Sequence, residues 1–144
     1  MKKLFFAALL TLSIAASAFA KDANVRALKN FKSQFEDAEN VSWTMRSTFA
    51  KASFNLNGEK REAFYDLNGE MIGTSKNISF EKLPVSAKRL FAKKYNGYVV
   101  KEVLRFESVD ESAYFVSAEN ETGSVILKVS DSNGVSVFKK ERKN

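Results

Sequence analysis

The side chains that could carry acid–base chemistry in this sequence are carboxylates, lysines, tyrosines and serines. The 144 residues include 0 Cys and 0 His, which excludes a thiol nucleophile, a Ser-His-Asp triad and an imidazole metal site. Two carboxylate pairs are candidates for a general acid and base, Glu62 with Asp66 and Asp110 with Glu111. Neither pair has a supporting constellation, so solvated loop or edge carboxylates are expected and the sequence predicts a protein that is not an enzyme.

A repeated acidic motif could suggest a calcium loop. Asp66-Leu67-Asn68-Gly69 and Asp131-Ser132-Asn133-Gly134 lie 65 residues apart. Their glycine is the fourth residue instead of the sixth, and the bidentate Glu that closes a calcium loop is missing. Asp bonds the backbone two residues on and Asn-Gly tolerates positive φ, so turns are predicted. We expect no metal and no cofactor.

The first twenty residues resemble an export signal. Lys2 and Lys3 precede an apolar run that starts at Leu4, and residues 18–20 read Ala-Phe-Ala. A transmembrane anchor is the alternative, but it would need about 20 uninterrupted apolar residues, and polar residues interrupt this run. We predict a signal peptide over 1–20, cut after Ala20. The mature chain should then be soluble and periplasmic or secreted, with no membrane span, and the Met-Lys-Lys start looks bacterial.

The charge of the chain is only mildly basic. The formal charge of +6 falls to +4 once Lys2 and Lys3 are removed. The remaining basic residues gather in one predicted helix and in the tail, without the dense stripe and interleaved aromatics of a nucleic-acid interface. A solvated helix face is expected, and no nucleic-acid partner.

Two helices and two sets of strands follow the signal. Apolar residues at helical spacing predict a helix over about 23–37, and a second from about residue 83 with Pro84 in its first turn and Gly97 past its end. Turn-separated strands follow each helix. The predicted class is α+β, a single domain over 21–144 with two tandem repeats, about 23–77 and 80–140. We expect the repeats to share one continuous sheet with both helices on one face.

Turn residues predict how the strands pair. Asn57-Gly58 is a two-residue hairpin signal that pairs Phe54 with Arg61 and places Lys51 opposite Phe64. In the same register Ala50, Ala52, Ala63 and Tyr65 share one face, while Phe49, Asp66, Ser53 and Glu62 lie on the other. Taking Thr122-Gly123 as the second turn pairs Ala118 with Leu127, Val116 with Val129, Tyr114 with Asp131, Glu119 with Ile126, Ser117 with Lys128 and Phe115 with Ser130. The register after Gly69 and Gly134 stays open, because two-residue and three-residue loops give opposite faces.

Several motifs together resemble a known family. They are the run from Phe31 to Trp43, the stretches Ala52 to Glu59 and Glu62 to Glu70, Leu83-Pro84, and Tyr95 to Tyr98. Over about 31–140 the chain is similar to the β-lactamase-inhibitor-like, PepSY-like family of small exported bacterial proteins. The resemblance implies tandem repeats whose helices back one long sheet and whose concave face docks on a partner. It does not imply inhibition of a β-lactamase, and its motifs are mostly turn and core residues.

The main functional hypothesis is an exported, non-enzymatic protein-binding module, an inhibitor or accessory of an envelope enzyme. It uses the face away from the helices, because aromatic side chains left exposed on a sheet often mark an interface. Two alternatives are that long lysines cover these rings or that a homodimer does. The predicted binding residues are Phe49, Lys51, Glu62, Phe64, Phe115, Ile126 and Lys128.

A second hypothesis is a periplasmic protein that binds a small ligand or an envelope surface. Its candidate contacts are Trp43, Tyr65 and Tyr98. Trp43 follows Val41 at strand spacing, so packing between the first helix and the sheet is the simpler expectation for its ring.

Overall fold

The computed structural model describes residues 25–144, so the predicted signal segment 1–20 and its cleavage site lie outside the described residues. The chain divides after Lys76 into two compact units. The described residues form eight β-strands and two α-helices, which confirms the α+β class. No helix among them is long and apolar enough to cross a membrane. The repeat relationship and the merging of the strands into one continuous sheet stay predictions.

The first unit has one helix followed by four antiparallel strands in chain order. Its elements are α1 (Val25–Gln34), β1 (Glu39–Met45), β2 (Ala50–Leu56), β3 (Glu59–Tyr65) and β4 (Met71–Asn77). Helix α1 ends three residues earlier than the apolar spacing predicts. The chain turns there, where the N–H of Ala38 donates to the carbonyl of Phe35 at 3.1 Å, and Asn40 takes a φ of 52° as β1 begins.

The second unit has the same order of elements. A 3-10 turn (Phe80–Lys82) leads into α2 (Val85–Lys94), and four antiparallel strands follow: β5 (Val99–Ser108), β6 (Ser112–Glu119), β7 (Gly123–Ser130) and β8 (Val135–Arg142). Pro84 lies immediately before α2, and Gly97 has a φ of 90° just past its end. The Gly97 signal is confirmed, and Pro84 is the N-terminal cap of α2, one residue before the first turn in which the sequence predicted it.

Each helix packs on one face of the sheet in its own unit. In the first unit Phe31 and Ala27 of α1 are buried against β2 and β3, whose contacting residues are Ala50, Ala52, Phe54, Ala63 and Tyr65. In the second unit the buried core is aliphatic, and Phe91 of α2 and Tyr95 at its C-terminal cap pack against Val103, Val116, Ala118, Val125 and Leu127. The opposite face of each sheet, turned away from the helix of that unit, is called its outer face below.

The hairpin at Asn57-Gly58 has the predicted register. Ala50 faces Tyr65, Lys51 faces Phe64 and the ladder closes at Leu56 and Glu59. Both turn residues have positive φ, as the two-residue hairpin turn requires. The predicted pair of Phe49 with Asp66 is wrong: β2 starts at Ala50, and the N–H of Asp66 donates instead to the carbonyl of Glu70 at 2.9 Å.

The second predicted hairpin has the right faces and the wrong partners. Ala118 pairs with Val125, Val116 with Leu127, Tyr114 with Val129, Glu119 with Ser124, Ser117 with Ile126 and Phe115 with Lys128. The turn is centred one residue earlier than predicted, because the side-chain oxygen of Asn120 accepts from the N–H groups of Thr122 and Gly123 at 2.9 Å each. Pairing therefore shifts by two residues, which leaves every side chain on its predicted face.

The two Asp-x-Asn-Gly motifs are turns, and they differ in detail. In the first, Asp66 Oδ1 accepts from the N–H groups of Asn68 and Glu70, and Gly69 has a φ of 79°. In the second, Asn133 carries the positive φ of 66°, and the N–H of Gly134 donates to Ser130 Oγ at 3.0 Å.

The strand register that the sequence left open is set after each of these turns. Tyr65 faces Met71 after the first turn, and Val129 faces Val135 after the second. An irregularity follows in each ladder: Phe64 faces Gly73, and Ile126 faces Lys139 next to the pair of Leu127 with Val137.

Candidate functional site

The aromatic residues predicted to be exposed for partner binding are buried. Phe49, Phe64 and Phe115 have relative exposures of 0%, 1% and 2%. Phe64 and Phe115 do lie on the outer faces, because side chains alternate along a strand and the adjacent residues Ala63 and Val116 belong to the helix-side cores. The prediction of their face is correct and the prediction of exposed rings is wrong.

Neighbouring rings pack against Phe64 and Phe115, and a lysine faces each of these two rings across the ladder. Phe49 and Phe64 pack edge to face with centroids 6.0 Å apart, and Phe115 packs in the same way on Phe138 at 5.3 Å. The cross-strand neighbour of Phe64 is Lys51, and that of Phe115 is Lys128. The four-carbon stem of a lysine can lie along an apolar ring while its ammonium reaches a charged partner. This agrees with the alternative in which long neighbours cover the rings.

A polar cluster lies at the centre of the outer face of the first unit. Lys51 is 8% exposed, and its Nζ lies 2.9 Å from Glu62 Oε1. The hydroxyl groups of Ser53 and Ser75 donate to the two oxygens of the same carboxylate, at 3.4 Å each. Because polar groups taken out of water need hydrogen-bond partners, these three donors satisfy the carboxylate oxygens of Glu62. The sequence indicated Lys51 and Glu62 and missed the two serines.

An ion pair lies on the outer face of the second unit as well. Lys128 Nζ donates to Glu111 Oε1, and both side chains are partly exposed. Ile126 is also partly exposed, and it faces Ser117 across the ladder. Glu111 and Phe138 were absent from the predicted binding set. The open register of β8 concealed Phe138, and Glu111 had been considered only with Asp110.

The carboxylates considered for catalysis have structural partners. Glu62 belongs to the polar cluster, Asp66 accepts turn N–H groups, and Glu111 pairs with Lys128. Among the described residues 25–144, no group of three or more acidic side chains is arranged to hold a metal ion. The geometry of these carboxylates therefore supports structural roles for them.

The residues considered for small-ligand binding do not line one common cavity. Trp43 packs against Phe31 and Tyr65, with centroids 5.5 and 5.7 Å away, as the packing expectation requires. The ring of Trp43 also lines a cavity of about 490 Å³ between α1 and β1, together with Leu28, Phe31, Lys32, Phe35, Glu36, Ala38 and Val41. Tyr65 is fully buried, and Tyr98 lines a separate cavity beside the end of β8.

The phenol of Tyr65 has an unusual titration. Its hydroxyl donates to Gln34 Oε1 at 2.8 Å. Burial penalises the charged phenolate and raises the pKa of Tyr65 to about 12. Tyr65 is therefore a neutral core residue with one hydrogen bond, which suits packing and not ligand contact.

Comparison with solved structures shows the fold. A BLIP-like protein from Bacteroides fragilis matches with a TM-score of 0.66 and 20% identity, covering 92% of this chain and 89% of that chain. A DUF2874 family protein from Bacteroides uniformis matches with a TM-score of 0.72 and 15% identity, covering 83% of this chain and 89% of that one. A protein from Bacteroides eggerthii, named as a candidate periplasmic protein, matches with a TM-score of 0.72 and 13% identity, covering 83% of this chain and 88% of that one.

At such identities the likeness establishes a shared BLIP-like fold and no more. No family model matches the chain, and no curated protein matches it. The PepSY-like half of the sequence resemblance is not among these findings.

Proposed function

We propose that this protein is a periplasmic protein-binding module that docks through the outer faces of its sheets. The observation that carries the proposal is the arrangement on those faces: in each unit an ion pair lies beside a buried aromatic ring, Lys51 with Glu62 beside Phe64 and Lys128 with Glu111 beside Phe115. The BLIP-like fold supports the same role, since the solved relative carries a BLIP-like name. The candidate periplasmic relative and the signal-like segment support an exported location.

The roles of the predicted binding residues change with their burial. Phe49, Phe64 and Phe115 act as the packed support beneath the surface, and Lys51 holds the carboxylate in place. Glu62, Ile126 and Lys128 are the partly exposed members that would touch a partner. Fixed ion pairs on a firm sheet favour specificity, because a partner with misplaced charges would leave buried groups unpaired.

The proposal is tested with a matched pair of substitutions in strands β7 and β8. Ile126→Asp places a carboxylate at the centre of the proposed interface on the outer face. Val137→Asp places one at an exposed position, 54% accessible, opposite Leu127 of the helix-side core. The mature chain from residue 21 is the bait for an extract of its own periplasm, and retained proteins are identified by mass spectrometry. Affinity for each purified partner is then measured.

We expect Ile126→Asp to weaken binding at least about tenfold, which corresponds to about 1.4 kcal/mol, while Val137→Asp keeps the affinity of the wild type. Equal melting temperatures for the two variants exclude a folding defect. If both variants bind the captured partner like the wild type, the outer face of the second unit is not the interface and the proposal fails.

A small apolar ligand is the second candidate, favoured by the cavity between α1 and β1. Its walls are mostly apolar, and Trp43 provides an internal reporter. A ligand seated there should shift the emission of Trp43, the single tryptophan of the chain. Val41→Lys, at the exposed rim, should abolish the shift. If the emission spectrum does not change on addition of the small apolar compounds extracted from the periplasm, the result would count against this function.

A further inference from the structure

Four of the six glycines in the chain follow an asparagine: Gly58, Gly69, Gly97 and Gly134. Asn-Gly is the dipeptide in which the next backbone nitrogen can most readily attack the asparagine side chain, because glycine has no Cβ to obstruct the approach. The sequence presents these four sites as equals. The structure leaves open space around Gly58 and Gly97 and gives Gly69 and Gly134 close neighbours.

In the first Asp-x-Asn-Gly turn, the Asn68-Gly69 pair is packed closely against α1. Gly69 is buried, and its N–H donates to the carbonyl of Asp66 at 3.0 Å. A Cβ at this position would lie 2.7 Å from the backbone nitrogen of Ala27 and from Cβ of Arg26. Asn30 of α1 also donates its side-chain N–H to the carbonyl of Gly69 at 2.7 Å. The backbone nitrogen of Gly69 can turn toward Asn68 only if this contact with the helix opens.

In the second Asp-x-Asn-Gly turn, Gly134 is exposed and is bonded to Ser130. Its N–H donates to Ser130 Oγ at 3.0 Å, and its carbonyl accepts from the N–H of Ser130 at 2.9 Å. The N–H of Gly134 is therefore held by one side chain, which can be removed without touching Asn133.

The hairpin tip between β2 and β3 is the least restrained of the three turns. Asn57 and Gly58 are both exposed, and a Cβ on Gly58 would meet no atom within 4 Å. Their turn is a two-residue loop at the end of a strand ladder, where local opening costs least free energy.

We propose that Asn57 is a site of spontaneous deamidation and that the packing of Gly69 against α1 protects Asn68 from the same reaction. The backbone nitrogen of Gly58 gives its proton to solvent and attacks Cγ of Asn57, the C–N bond of the side-chain amide breaks, and the departing nitrogen takes up a proton from solvent and leaves as ammonia. The resulting five-membered succinimide takes up one water at either carbonyl. It opens to aspartate or isoaspartate, with no oxidant or reductant consumed.

The product would act on the outer face through the register of the hairpin. Isoaspartate at position 57 inserts an extra methylene into the main chain of a two-residue turn. That turn sets the pairing of β2 with β3, which brings Lys51 to Glu62. Either product also adds one negative charge at the tip.

Peptide mapping of the intact protein tests the proposal. The folded protein is held at mildly alkaline pH, digested at intervals, and analysed by mass spectrometry that separates aspartate from isoaspartate. We expect position 57 to convert at least about tenfold faster than position 68, because only the latter needs opening of a packed turn. Ser130→Ala should accelerate conversion of Asn133 and leave the rate at position 57 unchanged.

Denatured protein is the matched control. In denaturant the four sites should convert at similar rates, since the fold no longer distinguishes them. Equal rates at 57 and 68 in the folded protein, or conversion of 57 only after denaturation, would overturn the proposal. A difference between 57 and 68 that persists in denaturant would also overturn it, because the cause would then be local sequence.

Discussion

The two units fill the space between helix and sheet with different side chains. In the first, Phe31 of α1 and Phe35 just after it pack on strands that present small alanines beside the rings of Phe54 and Tyr65. In the second, Ala87 is the buried residue of α2, and the strands contribute branched residues such as Val103 and Val125. The buried core is thus built of rings and alanines in one unit and of aliphatic side chains in the other.

This difference determines how the stabilising free energy is distributed. The single ring of Phe31 contacts three others, those of Phe35, Trp43 and Phe54, and the distances between ring centroids are 5.0 to 5.5 Å. Its removal would leave a large cavity lined by these rings and by small alanines that cannot expand to fill it. The buried core of the second unit consists of aliphatic residues of moderate size, so truncation of one of them should have a smaller effect.

The largest expected effect is therefore that of Phe31→Ala. We expect a loss of about 3–5 kcal/mol in the free energy of unfolding, against about 2 kcal/mol for Val125→Ala in the second unit. Urea unfolding followed by circular dichroism measures both, with unchanged m-values as the condition for comparing midpoints. Equal losses in the free energy of unfolding would contradict this comparison of the two cores.

The two Asp-x-Asn-Gly turns give the next largest contrast. Gly69→Ala should cost about 2–3 kcal/mol, because Gly69 has a positive φ and its new Cβ would press on α1. At Gly134 the nearest atom to a new Cβ is Ser130 Oγ, at 3.1 Å, and the positive φ belongs to Asn133. Gly134→Ala should therefore cost less than about 1 kcal/mol. Thermal melts of both variants test the ranking, and a reversed order would refute this account of the turns.

The smallest effect concerns pH and is confined to the aromatic core of the first unit. The pKa of Tyr65 in the folded protein is about 12, against about 10 for an unfolded tyrosine. Folding thus favours the protonated phenol, and this stabilising contribution is complete below pH 10 and lost as the pH rises toward 12. The stability of the wild type should fall more steeply across this window than that of Tyr65→Phe. Parallel curves in an alkaline unfolding series would contradict the assignment.

Local signals in the sequence predicted much of this fold. Asn57-Gly58 predicted the β2–β3 register, and Pro84 and Gly97 predicted the limits of α2, because each acts through its own backbone geometry. The β6–β7 partners were wrong because the side chain of Asn120 determines where that turn begins. A side-chain cap of this kind competes with the glycine signal one position away.

The candidate site was predicted less well. Alternation along the strands assigned Phe64 and Phe115 to the correct faces, but alternation says nothing of what lies over a ring. Coverage depends on contacts between residues distant in sequence, such as Phe115 with Phe138, and β8 had no predicted register. The two serines that donate to Glu62 were missed for a similar reason, since Ser75 joins that cluster only through the β3–β4 pairing.

The burial of Lys51 has a practical consequence for mapping any complex of this protein. Its amine is shielded and lies against the carboxylate of Glu62, whereas acylating cross-linkers and footprinting reagents attack accessible amines. Lys51 should stay unmodified whether or not a partner covers it. Amine labelling of the complex would then give no information at the middle of this surface. Carboxylate-directed labelling or hydrogen exchange would be needed to locate a contact there.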